Sequence, residues 1–128
     1  MPTIALVLAG LAALLHVGFF WMESIAFRRP AIHRRFGVKE PGDVDVLAFS
    51  MLNQGFYNLI LALGTLVGVD GSARGWDPQG STLVVYGCLF MIGAALVLVV
   101  SRPAMARAAL VQGLLPALAL VAAYAGSR

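Results

Sequence analysis

The sequence predicts an all-α, polytopic membrane protein built as a four-transmembrane-helix bundle, and three observations carry that prediction. The 128 residues are 60% hydrophobic and 12% charged, with a mean hydropathy of +0.88, whereas soluble domains average about a quarter charged residues. Apolar stretches recur over Thr3 to Phe27, Val46 to Val69, Ser81 to Val100 and Ala104 to Tyr124. Each is near the ~20 residues that a helix needs to cross a ~30 Å hydrocarbon layer. Almost every remaining residue lies in a short connection, so residues 1–128 read as a single integral membrane domain.

The first apolar stretch is too long for a signal-peptide core, and no small-residue cleavage pattern follows it, so it reads as a mature helix. Pro30 ends it. The first loop carries Arg28, Arg29, Arg34, Arg35 and Lys39 together with His33, Gly37, Pro41 and Gly42, and Asp43 or Asp45 is placed to cap the second helix. After the second span, Asp70 to Gly80 is rich in turn residues and reads as a loop, in which Trp76 suits the interfacial aromatic belt. The lone cysteine, Cys88, falls inside the third span, which rules out an intramolecular disulfide and a cysteine-based metal site. Ser101-Arg102-Pro103 is so short that the last two spans must be antiparallel neighbours, with Pro103 in the first turn of the fourth.

The net charge of +3 does not point to nucleic acid, because the basic residues sit beside the spans rather than among aromatics on a soluble face. It points to orientation. By the positive-inside rule the first and third loops are cytoplasmic and both termini face outward. The Ala, Gly, Val and Arg bias suggests a bacterial source, hence the inner (cell) membrane.

Against this apolar background, Asn53-Gln54-Gly55-Phe56-Tyr57-Asn58 places four hydrogen-bonding side chains inside the second span. A hydroxyl or amide in hydrocarbon costs roughly 2 to 7 kcal/mol when unpaired, so the cluster must be satisfied by partners, water or a ligand. Asn53 and Tyr57 are four apart, as are Gln54 and Asn58, forming two adjacent rows, while Gly55 permits close approach. His16 and Glu23 in the first span are seven apart and share nearly one face, and Gln112 lies in the fourth. With a ~1.5 Å rise per residue, Glu23 lies ~6 Å from the cytoplasmic span end, Asn53, Gln54 and Gln112 ~12 to 14 Å, and His16, Tyr57 and Asn58 ~16 to 20 Å. Three helices thereby offer polar groups for one pocket open to the cytoplasm, with the third span as scaffold.

Each residue also has a plain structural reading. Glu23 is close enough to its span end to reach headgroups or pair with Arg28, His16 serves equally as a hydrogen-bonded core histidine, and Asn, Gln and Tyr are ordinary interhelical glue. What favours function is the set: a histidine, a carboxylate, a phenol and several amides exceed what so small a bundle needs for packing.

The same residues resemble a family of small four-helix bacterial and fungal integral membrane proteins of unassigned function. The resemblance rests on His16 and Glu23, on Asn53-Gln54-Gly55-Phe56-Tyr57-Asn58 followed by Leu61-Ala62, on a Gly-containing third span, and on Gln112-Gly113-Leu114-Leu115-Pro116-Ala117. It covers most of the chain and implies a four-helix membrane protein without supplying a reaction. The sequence departs from the pattern at Phe27, where a tryptophan is expected soon after the first-span carboxylate, and in its long second loop.

The reading that follows is acid/base chemistry of isomerase, cyclase or hydrolase type on a lipophilic small molecule. His16, Glu23 and Tyr57 are the candidate catalytic residues, and Asn53, Gln54, Asn58 and Gln112 hold the substrate's polar end. No metal or other cofactor is expected. The expected partners are membrane lipid, a lipophilic or small polar ligand, and a second copy of the chain. A proton-coupled transporter, which four helices could form only as an oligomer, and a non-catalytic membrane subunit are the alternatives; the largely apolar outer halves of the spans weigh against transport.

Overall fold

The computed structural model describes residues 1–128, which are helical apart from short connections and the chain ends, without strands. Helix α1 covers Thr3–Phe20 and continues into a π turn, Trp21–Ile25. A short connection holds α2 (Pro30–His33) and a 3-10 turn (Arg34–Phe36), followed by α3 (Pro41–Ala73), α4 (Gln79–Ser101), a 3-10 turn at Pro103–Met105, and α5 (Ala106–Gly126). Four helical stretches, Thr3–Ile25, Pro41–Ala73, Gln79–Ser101 and Pro103–Gly126, are long and apolar enough to cross a membrane. The chain divides into two compact units, one of residues 1–15 with 61–128 and one of residues 16–60.

In the first unit, helix segments pack through small side chains. Ala5, Ala9, Ala12, Ala13 and Ala62 are fully buried with Cys88 and Met91, while Leu96, Val97, Val100 and Val121 point outward. Water would penalise that inversion, because contiguous exposed apolar surface drives association. A bilayer rewards it: lipid is as apolar as leucine, so helices gain most where small residues let backbones approach. Helices α4 and α5 form the close pair that the three-residue connection requires. Pro103 opens a 3-10 turn that leads into α5 rather than sitting in its first α turn.

The second loop is shorter than its turn residues suggest. Helix α3 continues through Asp70, Gly71, Ser72 and Ala73, leaving only residues 74–78 to turn the chain. Arg74 donates from Nε to Asp70 at 2.9 Å, and the Trp76 N–H folds back onto the Gly71 carbonyl at 2.8 Å. Gly80 lies so close to the Ser72 backbone that a Cβ there would overlap it, which explains glycines where the sequence alone reads a loop. The Asp70–Arg74 pair is exposed at both side chains, so Asp70→Asn should change stability by less than ~0.5 kcal/mol, measurable by denaturing-detergent titration.

The second unit begins at His16 and contains the end of helix 1 (α1 with its π turn, Thr3–Ile25), the connection and the first half of α3. Its helix starts earlier than expected: Pro41 opens α3, and Asp43 lies in the first turn. Asp45 is therefore inside the helix rather than capping it, and it forms an ion pair with Arg28. Arg28 pairs with this residue instead of Glu23.

Candidate functional site

The π turn places the site. The Ala26 N–H bonds to the carbonyl of Trp21, five residues back, at 2.9 Å, and the wider turn takes Glu23 off the strict seven-residue register with His16. Beside it, the Ser24 hydroxyl donates to the Leu52 carbonyl of α3 at 2.7 Å. Gly55 makes that approach possible. A Cβ on Gly55 would overlap Ser24 Oγ and come within 3.0 Å of the Ser24 backbone nitrogen. Phe20 and Phe56 meet edge-on, with ring centroids 5.1 Å apart, beside the same contact.

Glu23 is 5% exposed and is held from α3. Asn58 Nδ2 donates to Glu23 Oε2 at 2.9 Å, and Gln54 Nε2 donates to Oε1 at 3.3 Å. One amide thus serves each oxygen. Gln54 and Asn58 are four residues apart, so a single row of α3 presents both donors, while each carboxylate oxygen retains further acceptor capacity.

The neighbouring row points elsewhere. Asn53 Nδ2 donates to Tyr57 Oη at 3.3 Å, and Tyr57 is 64% exposed. Two rows about 100° apart cannot both face one carboxylate. His16 is 1% exposed, and its ring packs edge-on against Phe19 at 4.9 Å. Gln112 is part-buried in α5, in the other compact unit. Pro116, which has no N–H, sits four residues later inside that helix and leaves the Gln112 carbonyl without its usual helical donor.

The depth ladder is corrected by these contacts. It sets Glu23 well outside Asn58, yet the two are hydrogen-bonded. Val46 marks where charged residues stop in the sequence, not where α3 stops having neighbours: Asp45 meets Arg28, and Leu52 meets Ser24. Residues 45–58 therefore run beside residues 23–28.

An open cleft of about 400 Å³ adjoins the carboxylate. Its lining includes Phe27, Ala48, Phe49 and Leu52 together with Glu23, Ser24, Arg28 and Asp45. Phe49 and Leu52 are themselves exposed, so the cleft can be reached from the side that apolar residues cover. No group of three or more His, Cys, Asp or Glu side chains comes together to hold a metal ion.

Ser24, Arg28 and Asp45 are absent from the sequence-based candidates. The signal for Ser24 was available, since a small residue beside Glu23 and a glycine in the polar run are the composition of a close helix contact. Asp45 carried no such signal, because a carboxylate at a helix start reads first as a cap.

Compared with known proteins, residues 10–124 match the family model described as "Protein of unknown function (DUF1304)". No curated protein and no solved structure matches the chain.

Proposed function

Because the chain belongs to this family of unknown function, which assigns no reaction, we propose from the setting of Glu23 that the protein is a membrane enzyme moving protons on a lipophilic small molecule. The observation that carries the reading is a buried carboxylate, held by two amides, among the residues that line a cleft with Phe27, Phe49 and Leu52. An intramembrane carboxylate is expensive, and such groups typically mark a site of chemistry or transport. Of the sequence-based alternatives, isomerisation asks least of the site, since one carboxylate held at both oxygens is enough for it.

A single base suits isomerisation. Glu23 would take a proton from the carbon between a carbonyl and a double bond, and the C–H electron pair would pass onto the carbonyl oxygen as a dienolate. The carboxyl group, after exchange with solvent, would return a proton at the far carbon of the double bond, moving the unsaturation into conjugation. No oxidant or leaving group is consumed. Gln54 and Asn58 fix the carboxylate so that no reorientation is needed during transfer. Phe27, Phe49 and Leu52 hold the hydrocarbon. His16, Asn53 and Tyr57, in the same compact unit as Glu23, remain supporting candidates.

A second reading, a non-catalytic membrane subunit, is favoured by the same hydrogen bonds, since both oxygens of Glu23 are already served within the chain. Solvent deuterium separates the two. Vesicles holding the purified protein and a total lipid extract, incubated in D2O, should yield a lipophilic species that gains deuterium and should lose that gain with Glu23→Gln. If no extractable lipophile shows Glu23-dependent labelling, the enzyme reading fails and the subunit reading stands.

A further inference from the structure

The segment joining helix 1 to α3 is ordered around a small core of its own. Phe27, Val38 and Val44 are buried together, with Phe36, Ala48 and Met51 packed against them. The Phe27 ring lies 5.9 Å from Phe36 and 6.3 Å from His33. His33, 8% exposed, sets Nδ1 3.0 Å from the Val38 carbonyl. The chain reverses between them at Gly37, whose φ of 78° is a left-handed conformation that favours glycine.

What this core supports on its outside is positive charge. Ser24 through Lys39 contains Arg28, Arg29, Arg34, Arg35 and Lys39 and no acidic residue. Arg28 is neutralised by Asp45, and the Arg29 guanidinium lies 5.5 Å over the Trp21 ring. Arg34, Arg35 and Lys39 are exposed and form no ion pair, the chain's two ion pairs being Arg28–Asp45 and Asp70–Arg74. Three cations therefore stand unpaired on a fixed scaffold.

We propose that this folded connection is a binding platform for the headgroups of anionic phospholipids, with Arg34, Arg35 and Lys39 taking the phosphate charge. The placement selects this ligand. Both ends of the segment run into helices long and apolar enough to cross a membrane, which holds the cations at headgroup level, and Trp21, 43% exposed beneath Arg29, is an interfacial residue type. Guanidinium pairs with phosphate through parallel N–H donors, and clustered basic residues beside a span attract anionic lipid. A fixed scaffold loses less freedom on binding than a loose basic strand. The proposal is independent of any chemistry at Glu23.

Trp21 can report on it. The chain has two tryptophans, so Trp76→Phe leaves Trp21 alone, and the purified chain is placed in vesicles of phosphatidylglycerol and phosphatidylcholine with brominated acyl chains on one lipid at a time. Brominated phosphatidylglycerol should quench more strongly at equal mole fraction, corresponding to a relative association on the order of tenfold. Arg34→Gln, Arg35→Gln and Lys39→Gln together should bring that ratio to about one with helicity unchanged, while Arg34→Lys with Arg35→Lys should keep most of it. His33→Ala, which loosens the scaffold without removing these cations, should lower it. Equal quenching before substitution, or a preference that survives the triple replacement, overturns the proposal. Displacement by inorganic phosphate beyond that by chloride of equal ionic strength also overturns it, in favour of a free-anion site.

Discussion

Glu23→Ala should destabilise the contact between helix 1 and α3 by about 2 to 4 kcal/mol, whereas Glu23→Gln should cost about 1 kcal/mol or less while abolishing proton-transfer activity equally. The alanine variant removes the acceptor for both Asn58 Nδ2 and Gln54 Nε2 and leaves space at a site that is 5% exposed. Interhelical hydrogen bonds in membranes are worth only ~0.6 to 2 kcal/mol each, so the lost volume contributes a comparable share. A glutamine can turn its carbonyl oxygen toward Asn58 and preserve the shorter bond, but its amide takes no proton at neutral pH. Denaturing-detergent titration followed by circular dichroism measures the stabilities, and deuterium incorporation measures the activity. Full labelling activity in a folded Glu23→Gln variant would remove the carboxylate from the mechanism.

Gly55→Leu should have the larger effect on the fold, on the order of 3 kcal/mol or more. Even one carbon at Gly55 meets Ser24 at its hydroxyl and its backbone nitrogen, so the clash cannot be relieved by turning a flexible side-chain end. Helix 1 must retreat from α3, breaking the Ser24 bond to the Leu52 carbonyl and lengthening the amide bonds to Glu23. Overpacking a close contact typically costs 1 to 3 kcal/mol, and leucine adds more than a methylene. Gly64 supplies the comparison, because nothing lies within 4 Å of a Cβ built there. Gly64→Ala should therefore be neutral or stabilise α3 by up to ~1 kcal/mol through backbone entropy and helix propensity. Equal unfolding midpoints for the Gly55 and Gly64 variants would mean that helix propensity, not the Ser24 contact, governs this region.

The four long helices were legible, because four runs of apolar residues of spanning length leave few alternatives, whereas the π turn and the short helix at Pro30–His33 carried no such signal. Boundaries were less legible where polarity and helicity separate. Asp43 and Asp45 look like loop or cap residues by charge, yet Pro41 starts α3 ahead of them. Asp70 to Ala73 look like loop by their glycine and polar residues, yet Gly71 lies against Trp76 and Gly80, where a Cβ would come within 3.0 and 3.5 Å. The candidate site was legible as a set of residue types, and the structure sorts that set by direction. Gln54 and Asn58 face Glu23, whereas Asn53 and Tyr57, one row away, bond to each other on an exposed side. Spacing reveals that two rows exist but not which row meets the carboxylate. That choice rests on the Ser24–Gly55 approach, which involves two helices distant in sequence.

The π turn has a consequence for comparing this chain with its relatives. A π turn holds one more residue than the α turn it replaces, so helix 1 carries in effect a single-residue insertion between Phe20 and Ala26. A relative one residue shorter there would close the turn into ordinary α-helix and rotate its carboxylate away from the Gln54–Asn58 row. An alignment gap at this point would thus separate members that keep the amide-held carboxylate from members that have lost it, even where a glutamate is still present.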